Sequence, residues 1–375
     1  MIEVHNAVSR ANTYVNELEI PLGFKLFERS EPSPFARCFA IFIKALCKDK
    51  IWLDERKEQL IDSLNEEFNG FYLRRSQENI NLELDKPTLQ LLCFSLSALN
   101  ILGGTLTKAN NVILKNYLEL DAVANMVERG VDKGLAGSGN QAMFMAIILL
   151  YADRFLNIDK EFEIKNWLRF NVNALNTNGF WGAGRDITYL QFQNGYHQYE
   201  IFEYLGYSEA PWRKAATKVL SLADSKGHFS PYPGGGGCYD YDAVFMLTSR
   251  FTGDIKQTDI LSRTLETLLL EQNEDGGFCE SKLLREKGIP MVIPHLRHIL
   301  RQPSHLRFSS LKSGCNLLRY KHRLVATHWT DTDRKWDESN LWDTFFRLSA
   351  MSRICSFLDL PERKYFSQND FPGIG

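Results

Sequence analysis

The segment from Gly227 to Phe278 reads GHFSPYPGGGGCYDYDAVFMLTSRFTGDIKQTDILSRTLETLLLEQNEDGGF, and it decides the fold. Its glycine run, Gly234 to Gly237, predicts a loop, because residues free to take positive φ weaken helices and strands. Asp240 and Asp242 follow, directly ahead of the apolar run AVFML. This order places Asp240 at a helix N-cap and Asp242 in the first turn.

A second helix is predicted from Thr258 to Gln272, where leucine and isoleucine recur at helical spacing. It ends in NEDGGF, whose glycines are typical of a helix stop. The segment is therefore a helical hairpin with two acids at the mouth of one helix.

The composition is that of an ordinary globular protein: the 375 residues are 44% hydrophobic and 24% charged. A formal net charge of -2 gives no field that would favour nucleic acid. The N-terminus has no apolar run typical of a signal peptide or membrane span. The seven cysteines form no CxxC pair, which favours reduced thiols and a cytoplasmic location. Nothing indicates the oligomeric state.

A phrase of an acid or amide, then glycine, then an apolar or aromatic residue recurs about every fifty residues. We expect each copy to lie in a loop between two helices, as in stacked helical hairpins. The glycines of the five copies are Gly70, Gly134, Gly179, Gly227 and Gly277.

The helices that follow these loops are apolar nearly all round, which predicts burial on every side. Their partner helices are amphipathic and should face water. Inner helices ringed by outer ones define an all-α (α/α)6–7 toroid, which we expect to form a single domain over residues 1–375. The predicted inner helices begin near Pro87, Asn140, His197, Asp240 and Leu341.

A basic segment interrupts the repeat, and we expect an irregular insertion at about 287–330. No Asp or Glu occurs in it. The segment is either a solvent-exposed surface insertion or an anion-binding surface beside the opening of the cavity. Its basic residues are Lys287, Arg297, Arg301, Arg307, Lys312, Arg319, Lys321 and Arg323.

In a toroid the first turns of the inner helices converge on one end of a central cavity, where helix N-termini also favour anions. Polar and aromatic residues near those turns are the candidate site. The catalytic candidates are Asp242, Asp240, His197 and Glu200. The substrate-binding candidates are Trp181, Arg185, Tyr199, Tyr239, Trp342 and Asp343.

Each candidate has a structural alternative. Asp240 could simply cap its helix, as we also expect of Asp85 ahead of Lys86 and Pro87. His197 could hydrogen-bond a neighbouring helix, and the aromatic rings could belong to the core.

No cofactor is expected, because the sequence has no phosphate loop, dinucleotide fingerprint or nucleophile elbow. Cys238 with Asp240, or His295 with His298, could begin a site for a divalent metal. No set of ligands at recognisable spacing completes either pair, so no metal is assigned.

The phrase Gln272–Phe278 resembles the Q…GGW/F repeat of squalene–hopene cyclases and protein prenyltransferase β subunits, which are (α/α) toroids. In the cyclases an acidic DxDD box opens an inner helix some thirty residues earlier. The resemblance matches Asp242 to the proton-donating middle Asp and Asp240 to the first, while Ala243 replaces the last. Gly237-Cys238-Tyr239 resembles the GCY phrase of the prenyltransferases, whose zinc ligands have no match here.

Three functions stay open. The first is a terpenoid cyclase-like or isoprenoid-handling enzyme, an isomerase or lyase, in which Asp242 donates a proton and the basic segment holds a diphosphate. The second is a glycan-active hydrolase, lyase or epimerase acting on an anionic saccharide, with Asp242, Glu200 or His197 as acid and base. The third is a non-catalytic toroid that binds a protein or a ligand. Amide side chains near the predicted rim of the cavity favour the second hypothesis, because a hydrocarbon ligand would not hydrogen-bond to them. These residues are Asn140, Gln141, Gln193, Asn194 and Gln198.

Overall fold

The computed structural model describes residues 4–78, 80–250, 254–284, 289–318 and 324–367. The described chain is 65% helical, with fifteen α-helices, and it forms two compact units. Among the described residues, the first unit comprises those within 4–49, 186–189 and 212–367. The second comprises those within 50–185 and 190–211. That the whole chain is one domain stays a prediction.

The first unit contains a two-stranded antiparallel sheet, β1 (Glu19–Ile20) with β2 (Gly23–Phe24), beside its helices. α15 packs against α2, α11 and α12, and these contacts form the core of the unit. The helices are α1 (Val4–Glu17), α2 (Pro34–Leu46), α10 (Trp212–Leu220), α11 (Gly237–Thr248), α12 (Ile255–Glu271), α13 (Ile289–Arg301), α14 (Ser304–Leu318) and α15 (Leu341–Phe357).

The second unit is built on α4 and α7, which are buried along most of their length. α3 and α5 pack beside them with polar faces exposed to water. The helices are α3 (Lys50–Gln77), α4 (Lys86–Leu102), α5 (Lys108–Leu118), α6 (Ala122–Glu128), α7 (Ser138–Leu156), α8 (Glu161–Asn173) and, from Leu190 onward, α9 (Tyr189–Tyr204).

Most predicted helix starts are confirmed. α4, α7 and α15 begin within two residues of Pro87, Asn140 and Leu341, and the Asp85 carboxylate caps α4 by accepting the Thr88 backbone N–H at 3.2 Å. The start near His197 is wrong, because α9 begins eight residues earlier.

The repeat phrase marks a loop at four of its five copies. The loop predicted at the remaining copy, around Gly70, is wrong, because α3 continues through this residue without a break. The reason is local: Gly70 is exposed and a Cβ there would meet nothing within 4 Å, so this glycine neither turns the chain nor makes room for a neighbour.

Two inner helices of the second unit cross with their backbones in contact. A Cβ on Gly139 of α7 would lie 2.0 Å from the Asn194 carbonyl oxygen of α9. The glycine is therefore required by the close approach of the helices.

We expect Gly139→Ala to lower the free energy of unfolding by about 1–3 kcal/mol, because the added methyl overpacks the helix crossing. Gly70→Ala is the matched control and should raise stability by about 0.5–1 kcal/mol, since alanine is the better helix former. Urea unfolding of both variants measures this, and equal effects would contradict the assigned contact.

Candidate functional site

The glycine run gives room for carboxyl groups at the start of α11. A Cβ on Gly235 would lie 2.2 Å from Asp240 Oδ2, and one on Gly237 would lie 2.0 Å from Asp343 Oδ1. The N-terminus of a helix attracts negative charge through its free N–H groups and its dipole. Gly234 to Gly236 lie in a loop, as predicted, whereas Gly237 is the first residue of α11. The run also brings acids from two helices to one helix end.

Asp240 is not the N-cap of α11, so that prediction is wrong. The helix begins three residues earlier, with Gly236 in the cap position. The Asp240 carboxylate is fully buried and forms an ion pair with Arg347 of α15. It also accepts the backbone N–H of Phe229 at 2.7 Å and that of Gly236 at 3.4 Å. Asp240 thus joins the loop, α11 and α15 as a buried ion.

Asp242 lies in the second turn of α11, not in the first as expected. Its side chain is 1% exposed. Two residues along a helix are separated by about 200° around its axis, so Asp240 and Asp242 point from opposite sides of α11. The two aspartates therefore have different neighbours, and it is Asp240 that forms the ion pair with Arg347.

Asp343, in the first turn of α15, is held by its helix cap. Asn340 accepts the Asp343 backbone N–H at 2.9 Å and donates its amide to Asp343 Oδ2 at 2.5 Å. Arg334 lies 3.4 Å from the same oxygen, and all three side chains are buried. This arrangement fixes Asp343 beside the start of α11.

Glu280 belongs to this cluster and was missed by the sequence reasoning. It accepts hydrogen bonds from the Tyr232 hydroxyl at 2.8 Å and from Arg334 at 3.1 Å. Burial, together with the charge of Asp343, raises the pKa of Glu280 to about 7, against the opposing effect of Arg334. Glu280 follows the GGF phrase by two residues, so the phrase itself could have drawn attention to it.

A buried histidine ties the loop before α11 to α12. His228 Nε2 lies 3.1 Å from Glu271 Oε1, and Nδ1 lies 3.6 Å from Asp224 Oδ2. Burial alone lowers the pKa of His228, but the two carboxylates more than offset it and raise the pKa to about 10. His228 is therefore a cation at neutral pH.

We expect His228→Gln to lower the free energy of unfolding by about 2 kcal/mol at pH 6, because the buried ion pairs with Asp224 and Glu271 are lost. Because the folded-state pKa lies above the ordinary 6.5, the ionised histidine stabilises the fold fully below that pH. The stabilisation is lost as the pH rises from there through 10. Denaturant unfolding at several pH values should show the gap between wild type and variant shrinking toward pH 10, and a constant gap would contradict the assignment.

Aromatic rings cluster on the inner side of α15 in the first unit. Trp342 packs on Trp329 at 4.1 Å between ring centroids, on Phe346 at 4.4 Å and on Phe39 of α2 at 5.1 Å. Tyr239 forms edge-to-face pairs elsewhere in the unit, with Tyr232 and Tyr189. Such faces attract cations through the ring quadrupole.

His197, in the second unit, has the structural role that sequence reasoning left open. Its Nε2 lies 2.8 Å from Asn140 Nδ2 on the neighbouring helix α7, and Lys86 donates to Asn140 Oδ1 at 3.2 Å. Burial, with a contribution from Lys86, lowers the pKa of His197 to about 3. The imidazole is therefore neutral and accepts the amide proton.

The remaining candidate residues of the second unit differ in their burial and in their contacts. Trp181 and Tyr199 are packed against each other at 5.8 Å, and each donates to a backbone carbonyl, of Asn171 and Gly179 respectively. Both rings belong to the core. Glu200 is buried, whereas Arg185 is exposed.

The basic segment is partly helical rather than irregular, since α13 and α14 lie within it. Arg307 donates to the carbonyls of Gln302 and Leu300, so one cation closes the end of α13. Four of the basic residues lie outside the described residues: Lys287, Arg319, Lys321 and Arg323.

Within the described ranges, no group of three or more His, Cys, Asp or Glu side chains is arranged to hold a metal ion. None of the helices in this part of the chain combines the length and the apolarity that crossing a membrane requires.

No family model and no curated protein matches the sequence. Among solved structures, the chain is similar to a variant of the type II terpene cyclase MstE from Scytonema, in complex with its substrate geranylgeranyl dihydroxybenzoate. The TM-score is 0.51 at 10% sequence identity, over 94% of this chain and 98% of that one.

This likeness shows the fold. The chain has the (α/α)-toroid fold of type II terpene cyclases, which are related to squalene–hopene cyclase, and the predicted fold class is confirmed. The structural similarity covers 94% of this chain, whereas the sequence resemblance rested on motifs within about fifty residues.

Proposed function

We propose that the protein is a terpenoid cyclase that starts cyclisation by protonating a linear isoprenoid, with Asp242 as the general acid. The observation that carries the proposal is the contrast between two buried aspartates of one helix. Asp240 is fixed as an ion by Arg347, while Asp242 lies buried on the opposite side of α11. The (α/α)-toroid fold, found in a type II terpene cyclase, supports the same reading.

Protonating a carbon–carbon double bond requires a strong acid that still carries its proton at neutral pH. Burial disfavours the charged form of a carboxyl group, and Asp242 is buried. In the proposed reaction Asp242 gives its proton to a terminal alkene or epoxide, which creates a carbocation. The internal double bonds then attack it, carbon–carbon bonds form, and a proton is lost from the final cation.

Aromatic faces suit the cationic intermediates. The rings of Trp342, Trp329 and Phe346 lie on or beside α15, which packs against α11. Cation–π contacts with desolvated rings contribute about 2 kcal/mol each. These rings are the candidates for stabilising positive charge as it moves along the isoprenoid.

The experiment is an assay of the purified protein with linear polyprenyl compounds, including epoxides, polyprenyl diphosphates and prenylated dihydroxybenzoates, followed by gas chromatography and mass spectrometry. We expect a cyclic product isomeric with one of the linear substrates. Turnover of anionic oligosaccharides, with none of the isoprenoids consumed, would contradict the proposal and favour the glycan alternative.

A further inference from the structure

The helix α13 exposes a continuous apolar stripe. Val292, Leu296 and Leu300 recur every four residues and are 47%, 52% and 60% exposed. Ile293, 60% exposed, widens the stripe. Helical geometry places Arg297 and Arg301 along one margin of the stripe, and the buried residues Ile299 and His295 along the other. α13 is thus apolar toward solvent and basic along its edge.

The next helix, α14, repeats this arrangement. Phe308, Leu311 and Leu318 lie on one side at helical spacing and are 78%, 49% and 52% exposed. The exposed Lys312 lies beside them. Soluble proteins seldom expose contiguous apolar patches of this kind without a binding role. We call the two helices the α13–α14 hairpin.

A small apolar cavity of about 130 Å³ opens between the two helices. Its lining includes Val292 and Leu296 from α13 and Leu311 and Leu318 from α14, which also belong to the exposed stripes. The exposed apolar surface therefore continues inward, where the tail of an amphiphile could enter.

The charged residues of the segment that contains the hairpin have one sign. Between residues 287 and 330 the sequence contains no Asp or Glu, while basic residues recur throughout. An apolar helix face with lysine and arginine beside it is the pattern of helices that lie in the interface of an anionic bilayer. Each such cation near the surface contributes to binding.

We propose that the α13–α14 hairpin docks on an anionic lipid surface, with its leucine stripes in the headgroup boundary and its arginines on lipid phosphates. The hairpin lies on the membrane and does not cross it, in agreement with the lack of a spanning helix among the described residues. This inference is independent of the proposed reaction.

Charge favours a bilayer over a second copy of the chain. Pairing two hairpins would bring Arg297, Arg301 and Lys312 of each against those of the other, with no carboxylate within the segment to separate them. Like charges held together are unfavourable, whereas lipid phosphates neutralise them.

Sedimentation with vesicles tests the proposal on the full chain. We expect the protein to sediment with phosphatidylcholine–phosphatidylglycerol vesicles, more weakly as salt increases, and much less with phosphatidylcholine alone. Arg297→Gln with Arg301→Gln should weaken binding roughly fivefold for each charge removed. Leu296→Gln with Leu300→Gln should weaken it about tenfold for each leucine.

The matched control is Leu270→Gln, which changes a leucine on α12, outside the hairpin, that is 68% exposed and thus at least as accessible as Leu296 and Leu300; it should leave binding unchanged. Thermal unfolding of each variant shows whether the fold is kept. Three outcomes would overturn the proposal: no sedimentation of the wild type with either vesicle, full binding by the folded leucine variant, or a dimer that this variant converts to a monomer.

Discussion

Asp242→Asn is expected to lower the rate of isoprenoid cyclisation by about 10²–10⁴-fold, the contribution of a positioned general acid. Asparagine matches aspartate in size but cannot donate the required proton. Because asparagine matches the size of the buried aspartate side chain, we expect the melting temperature to stay near that of the wild type. Product formation by mass spectrometry and thermal unfolding measure the two effects separately.

Glu280→Gln is the matched control for this result. Glu280 is the buried carboxyl whose pKa is raised to about 7, and it is therefore the rival source of a proton at neutral pH. We expect this variant to keep turnover in the same range as the wild type. A fully active Asp242→Asn together with an inactive, folded Glu280→Gln would contradict the proposal and would assign the general acid to Glu280, in the loop that follows α12.

Arg347→Met should lower the free energy of unfolding by about 3–5 kcal/mol, because it leaves the Asp240 charge buried without its partner. Asp240→Asn should lower the free energy of unfolding by a similar amount, because it leaves the Arg347 guanidinium buried without its partner. This is more than the roughly 1 kcal/mol expected of a lost helix cap, which the sequence alone had suggested.

A double-mutant cycle measures the pair. We expect the variant that combines Arg347→Met with Asp240→Asn to be less destabilised than the sum of the two single changes, because no buried charge is then left alone. Additive losses in urea unfolding would show that the two side chains act independently, which would contradict the ion pair as the link between α11 and α15.

The fold was predictable because it depends on periodicity. The apolar pattern of the helices near Pro87 and Leu341 predicts that they are buried. The glycine phrases correctly predict loops at four of five positions. Gly70 misled the prediction because a glycine inside a helix has no local signature. The role of Gly139 also depends on the folded chain, since a Cβ there would lie 2.0 Å from the Asn194 carbonyl oxygen.

The candidate site was predictable only in part. Asp240, Asp242 and Asp343 were found because they lie near helix starts, but their roles depend on partners far away in sequence. Arg347 is 107 residues from Asp240, and no local pattern connects them. Glu280 was missed for the same reason, since its neighbours Tyr232 and Arg334 come from separate loops.

The central claim, protonation of a carbon by the protein, is tested most directly by carrying out the cyclisation of a linear polyprenyl substrate without an epoxide in D₂O. The carboxyl proton exchanges with solvent, so the account predicts a cyclic product that carries one deuterium at the carbon where cyclisation began. A cyclic product without deuterium at that carbon, formed with release of diphosphate, would show that ionisation of the substrate starts the reaction and would contradict the account.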